Sequence, residues 1–210
     1  AGLSILLVYG VSRVRGELTT MRLLLAGVAI SFFFSSLVLF VQYTSNLYDT
    51  FRLIRWTMGA LGTTGYDSVL NLFLFVLVGI GILVFQVHEL NLLSTGEDLA
   101  MSRGVNVNRT RNLLFFAVSL MVGGVVSVCG PIGFVGIMVP HICRLLIGYN
   151  HRLLLPASLL FGGAFLTVCD TFARTVVAPT EVPVGVITAL LGGPFFMWLL
   201  LGGKSRDMQF

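Results

Sequence analysis

Charge is missing from this chain in long blocks, and that constrains its fold more than any other feature. Leu23–Tyr43 and Val69–Val87 hold no Asp, Glu, Lys or Arg, and Asn112–Pro140 runs for 29 residues without one. A helix rises 1.5 Å per residue, so about 20 such residues cross the roughly 30 Å hydrocarbon core of a bilayer. Lipid offers backbone groups no partner, so each block must satisfy its own hydrogen bonds as a helix. The expected fold class is therefore all-α, a polytopic transmembrane helical bundle. Only 10% of the residues are charged, against about 25% in soluble domains. That excludes an ordinary cytosolic enzyme, a disordered tail and a nucleic-acid binder.

Full spans are expected at Leu23–Tyr43, Val69–Val87, Asn112–Cys129, Ile132–Ile147, Leu153–Ala173 and Val182–Leu201. Ala1–Tyr9 is apolar but too short to span, and it lacks the cationic head of a signal peptide. It reads as the tail of a helix, and the chain as a piece of a longer one.

The uncharged stretch from Asn112 is either one long tilted helix or two helices broken at Gly130-Pro131. Arginine placement decides between them, because short cytoplasmic loops carry an excess of basic residues. With a break, Arg13, Arg15, Arg22, Arg103, Arg109, Arg111, Arg144, Arg152, Lys204 and Arg206 share one side, ten against three for Arg52, Arg55 and Arg174. Without it the count is seven against six, which is no bias. Pro131 also lacks a backbone donor and disfavours a helical residue before it. Two spans are expected, with the C-terminus in the cytoplasm. Cytoplasmic segments are then Gly10–Arg22, His88–Arg111, Gly148–Arg152 and the tail from Gly202. External segments are Thr44–Ser68, Gly130-Pro131 and Arg174–Glu181. The net charge of +4 follows from this topology.

No acidic residue lies near the middle of a span. Ion-coupled carriers usually keep ionisable or unwound ion sites there, which weakens the rival reading of a secondary transporter. A membrane scaffold without transport activity is a third reading. His88-Glu89 has no second histidine four residues on, so no zincin pair forms, and there is no Gly-x-Ser-x-Gly. Cys129, Cys143 and Cys169 are spaced by 14 and 26, which fits no zinc motif. The sequence is thus expected to hold no catalytic residue, no metal site and no cofactor, and any work to draw on a partner's energy.

The most specific stretches lie in the second half. Gly96-Glu97-Asp98-Leu99-Ala100-Met101-Ser102-Arg103-Gly104-Val105 predicts a short helix. Glu97 and Asp98 suit its positive dipole end, Arg103 its last turn, and Gly104 a left-handed cap. Leu99 and Ala100 can face a neighbour while Ser102 and Arg103 stay wet. On pattern alone this helix could equally be a connector. Further along come Gly130-Pro131-Ile132-Gly133-Phe134-Val135-Gly136, Pro140-His141-Ile142-Cys143-Arg144 and His151-Arg152-Leu153-Leu154-Leu155-Pro156-Ala157. Asp170-Thr171-Phe172-Ala173-Arg174, Glu181-Val182-Pro183-Val184-Gly185 and Gly192-Gly193-Pro194-Phe195-Phe196 follow. Together with Leu24-Leu25-Ala26-Gly27-Val28-Ala29 and Trp56-x-x-Gly59, and in this order, they resemble the permease subunits of type II ABC importers. That family carries iron–siderophores, haem and cobalamin, and the resemblance runs along nearly the whole chain.

The resemblance implies an inner (cytoplasmic) membrane, multi-pass subunit of ten helices, of which these six spans and the partial one match the fourth to tenth. The whole chain, residues 1–210, would be a single permease domain, with residues 88–111 as its cytoplasmic coupling loop. It implies three partners: an ABC ATPase on the cytoplasmic face, a soluble substrate-binding protein outside, and a second permease subunit, identical or not. Gly96, Glu97, Asp98, Leu99, Ala100, Arg103, Gly104 and Val105 would couple to the ATPase. Leu23–Tyr43 matches the pathway-lining fifth helix, and Arg174 an external arginine that meets an acid of the binding protein.

Bland readings stand beside these. Ser31 and Ser35, one turn apart, and the adjacent Ser36 are either a weakly polar pathway wall or small hydroxyls bonded to their own backbone. Asp170 and Arg174, at i and i+4, can pair locally, and an exposed pair worth about 0–1 kcal/mol can still be exchanged for a partner's acid. His141 and Arg144 place a helix end at the membrane surface, and Trp56 reads as an interfacial anchor.

Overall fold

The computed structural model describes residues 20–62 and 65–202. The partial span at Ala1–Tyr9 and the basic residues Arg13, Arg15, Lys204 and Arg206 lie outside the described residues. Among the described residues the regular structure is entirely helical: α1 Thr20–Thr44, α2 Leu47–Thr57, α3 Tyr66–Phe85, α4 Val87–Leu93, α5 Glu97–Ser102, α6 Val107–Cys129, α7 Val135–Ile147, α8 His151–Thr175 and α9 Val184–Gly202.

Four segments are long and apolar enough to cross a membrane: Leu24–Thr44, Tyr66–Phe85, Val107–Cys129 and His151–Thr175. The expected span Ile132–Ile147 is shorter than the pattern suggests. Its helix has 13 residues, about 20 Å of rise. The cause is local. Gly130 turns the chain at φ +71°, and Phe134 sits at φ +66° before the helix resumes. A left-handed residue cannot continue a right-handed helix. The break at Gly130-Pro131 is therefore present, but it takes residues 130–134 out of the helix rather than two. Two elements go beyond the sequence pattern. The segment Thr44–Ser68 contains α2, which Asn46 caps by accepting from the Asp49 N–H at 2.9 Å. The loop after α3 begins with a second helix, α4, after a break in the helical backbone at Gln86.

Small residues set the helix pairing, as van der Waals packing requires where lipid is as apolar as the side chains. α3 and α6 run antiparallel. Gly79 lies against Met121 and the Ala117 carbonyl, and Gly124 against Leu72 and Phe75. α7 and α8 close around Val139, Cys143 and Leu154, flanked by Val135, Ala157 and Phe165, and α9 packs on both helices.

The loops sort to two ends. At one, the Ala60 N–H donates to the Cys129 carbonyl at 2.8 Å and the Gly185 N–H to the Gly59 carbonyl at 3.0 Å. At the other, Asn91 meets Asn150 and His151, and Arg111 meets Glu97. Arg103, Arg109, Arg111, Arg144 and Arg152 belong to this second end, the one expected to be cytoplasmic. A reporter fused after Gly130 should accordingly read as external and one fused after Gly148 as cytoplasmic. The same side for both would overturn the orientation of α7 to α9.

Candidate functional site

At the end expected to be cytoplasmic, α4 and α5 form a small platform. The Ser94 and Thr95 hydroxyls donate to the Asn91 and Leu92 carbonyls, each at 2.7 Å, and tie off α4. Gly96, at φ +113°, then redirects the chain into α5. The far end of α5 closes with two nested bonds: the Gly104 N–H donates to the Met101 carbonyl at 2.9 Å, and the Val105 N–H to the Ala100 carbonyl at 3.1 Å. This is a Schellman cap, and it needs a left-handed residue at Gly104, which has φ +84°. Arg111 bridges to Glu97 at 2.6 Å, fixing α5 to the first turns of α6.

All eight expected coupling residues thus fall on one helix and its two caps. Two details differ from expectation. Arg103 is the C-cap rather than a last-turn residue, because the Schellman bonds end the helix at Ser102. Ala100 alone faces the fold, fully buried, while Leu99 and Met101 are 56% and 53% exposed. The platform presents apolar side chains outward at the end where polar ones are expected.

Asn91 escaped the sequence reading. Its carboxamide accepts from the His151 N–H at 2.9 Å, linking α4 to the start of α8. Its partner lies sixty positions away, so no local signal marks it.

At the opposite end Arg174 is more engaged than its sequence neighbours imply. Its guanidinium donates to Asp170 at 2.8 Å, as the i, i+4 spacing predicts. It also donates to the Leu61 carbonyl at 2.8 Å and lies 3.8 Å from Glu181. It therefore joins α8 to the α2–α3 loop while remaining partly exposed. Around it, three segments meet backbone to backbone. A Cβ on Gly130 would collide with the Trp56 carbonyl, one on Gly59 with the Pro131 carbonyl, and one on Gly185 with the Met58 carbonyl. A shallow cavity of about 510 Å³ opens beside this clasp, lined by Thr57, Met58, Pro131, Gly185 and Ala189 among others.

The serines of α1 are not brought to either end. Ser36 donates to the Phe32 carbonyl at 2.9 Å, the intrahelical bond of the bland reading. Ser31 and Ser35 share a face, from which Ser36 turns away by about 100°, and all three are exposed. α1 packs on α2, and the two flank an open apolar pocket of about 200 Å³ lined by Phe34, Leu37, Val38, Val41, Leu53 and Trp56.

The chain is similar to known transport proteins along most of its length. The FecCD transport family is matched over residues 1–202. The chain is 40% identical over 185 residues to the hemin transport system permease protein HmuU of Yersinia pestis, covering 88% of this chain and 55% of that protein. It is 41% identical over 205 residues to the cobalamin import system permease protein BtuC of Halobacterium salinarum, covering 96% and 54%. Among solved structures, a metal-chelate type ABC transporter in an inward-facing conformation aligns with a TM-score of 0.83 at 33% identity, covering 95% of this chain and 64% of that one. The chain spans about half the length of the permeases it matches.

Proposed function

Because the chain belongs to the FecCD transport family, we propose that it is the membrane-spanning part of an ABC importer permease that moves a ligand inward on a partner's ATP hydrolysis. The cargo class is an iron–siderophore, haem or cobalamin-type ligand, in keeping with relatives named for hemin and cobalamin transport. The permease itself performs no catalysis. It resides in the cytoplasmic membrane and pairs with a second permease subunit, and the apolar side chains that α1 exposes among the described residues, such as Phe32, Leu39 and Phe40, suit that arrangement.

The observation that carries this reading is the α4–α5 platform. A six-residue helix, closed at its C-terminus by the Schellman bonds and cross-braced by Glu97–Arg111, holds Leu99 and Met101 out toward water. Exposed apolar side chains on a rigid mount suit a protein contact. The proposed contact is the ATPase, with Gly96, Glu97, Asp98, Leu99, Ala100, Arg103, Gly104 and Val105 as the coupling element. Ser31 and Ser35 belong to one face of the pathway wall on α1, and Ser36 to its flank. Arg174 docks the binding protein by exchanging one of its internal acids for a partner's.

Purification of the full-length permease with its ATPase and binding protein tests both faces at once. The ATPase should co-purify in detergent. Arg174→Glu should weaken binding-protein docking by like-charge repulsion, and the wild-type contact should weaken with added salt. ATPase binding should be untouched by this change, since Arg174 is at the opposite end of the bundle. Docking of unchanged affinity and salt dependence removes Arg174 from the site. A permease that binds no ATPase overturns the function.

A further inference from the structure

One side chain joins the α4–α5 platform to the start of α8. The Asn91 carboxamide oxygen accepts from the His151 backbone N–H at 2.9 Å and lies 2.8 Å from His151 Nδ1, and its amide nitrogen donates to Asn150 Oδ1 at 3.3 Å. A backbone N–H only donates, which fixes the oxygen of Asn91 toward it. That oxygen in turn requires the hydrogen of the imidazole to sit on Nδ1. His151 is the first residue of α8, so its N–H is one of the donors a helix start leaves unpaired. Asn150 satisfies the next, accepting from the Arg152 N–H at 3.1 Å. α8 is thus capped twice, once by its own N-cap and once by a residue of another helix.

This placement has a mechanical consequence. α5 packs on α4 and α6, and α4 packs on α8. Displacement of α5 reaches α6 through Glu97–Arg111 and reaches α3 through Gln86. Its route to the α7–α8 hairpin passes through Asn91. Apolar contact is non-directional and lets helices slide, whereas hydrogen bonds converging on one carboxamide hold orientation as well as distance.

We propose that Asn91 and His151 form a transmission latch, a pair of positioning residues that makes α8 and the packed core behind it follow α5. The latch rests on the reading of α5 as the ATPase-facing helix. It adds a path from the ATPase to α8, separate from the covalent ones through α3 and α6.

The test uses the full-length permease with its ATPase and binding protein in proteoliposomes, measuring ligand delivered per ATP hydrolysed. Asn91→Leu should keep the ATPase bound and hydrolysis running while delivery per ATP falls about tenfold. Asn91→Asp, which keeps the acceptor, should recover most of the ratio. Hydrogen exchange at residues 151–154 should respond to nucleotide in the wild type and in Asn91→Asp, and stop responding in Asn91→Leu. A merely structural cap would change protection equally with and without nucleotide. If Asn91→Leu does not reach the membrane, His151→Ala decides: it removes the ring contact, leaves the backbone bond, and should lower delivery per ATP about threefold. An unchanged ratio in the variant measured, or an intact nucleotide response, overturns the latch. Loss of ATPase binding in the variants overturns it as well, because Asn91 would then shape the docking surface. A wild type that binds no ATPase overturns the reading of α5 instead.

Discussion

Leu99→Asp in the full-length permease is expected to abolish uptake while leaving the protein in the membrane. Leu99 is 56% exposed on a helix whose inward residue, Ala100, is fully buried, so the substitution disturbs little internal packing. It does place a carboxylate in the proposed apolar contact with the ATPase. Loss of a central apolar anchor costs about 2 kcal/mol or more, which is roughly a 30-fold loss of affinity. Gly104→Val should give the same phenotype by another route. A Cβ at Gly104 meets open space, so its cost is conformational: φ is +84°. A β-branched residue there costs about 1–2 kcal/mol and unties the Schellman bonds that end α5. Gly104→Asn, which tolerates the left-handed region, should be mild. ATPase co-purification and uptake in cells read both outcomes. Normal uptake and normal ATPase binding in Leu99→Asp or Gly104→Val would reduce residues 96–105 to a connecting loop.

Gly130→Ala should be among the most damaging single methyls in the described residues. The residue sits at φ +71°, and a Cβ there runs into the Trp56 carbonyl, with the Gly59 Cα at 3.3 Å. Backbone atoms cannot rotate away as a flexible side chain can. The left-handed conformation and the displacement of the end of α2 and the loop after it together cost about 3 kcal/mol. The Ala60–Cys129 and Gly185–Gly59 bonds would be pulled apart with it, so α2, α6 and α9 lose their shared anchor. Gly133→Ala, three residues on in the same loop, meets open space and should change little. Thermal unfolding of the two purified variants separates them. Equal stability would show that the outer clasp yields rather than holds.

Much of the bundle was legible because lipid imposes a local rule. Leu23–Tyr43 or Val69–Val87 must be helical whatever surrounds it, since its backbone groups have no other partner. Gly130-Pro131 was legible for a similar reason, as Pro131 removes a donor and arginine sides resolve only with a break. Glu97, Asp98 and Gly104 announced α5 because capping is a matter of a few adjacent residues. α2 and α4 were missed because they are short and carry no 20-residue signal. The length of α7 was misjudged because nothing in the letters of Phe134 says that it will adopt a positive φ. Its ring packs over Gly192 and beside Phe196, contacts made by residues of another helix.

The sequence by itself determined that this chain is an all-helical membrane protein with a basic end, a short capped helix in its longest basic loop, and a local Asp170–Arg174 pair. Each of these follows from interactions within a few residues, or from the free energy of placing side chains in lipid or water. The tertiary structure alone decided which face of α5 is buried, that Arg174 also holds the Leu61 carbonyl, that Gly59, Gly130 and Gly185 admit neighbouring backbones, and that Asn91 caps α8. These are contacts between residues far apart in the chain. They depend on where whole helices come to rest, and no periodicity or spacing in the sequence encodes that position.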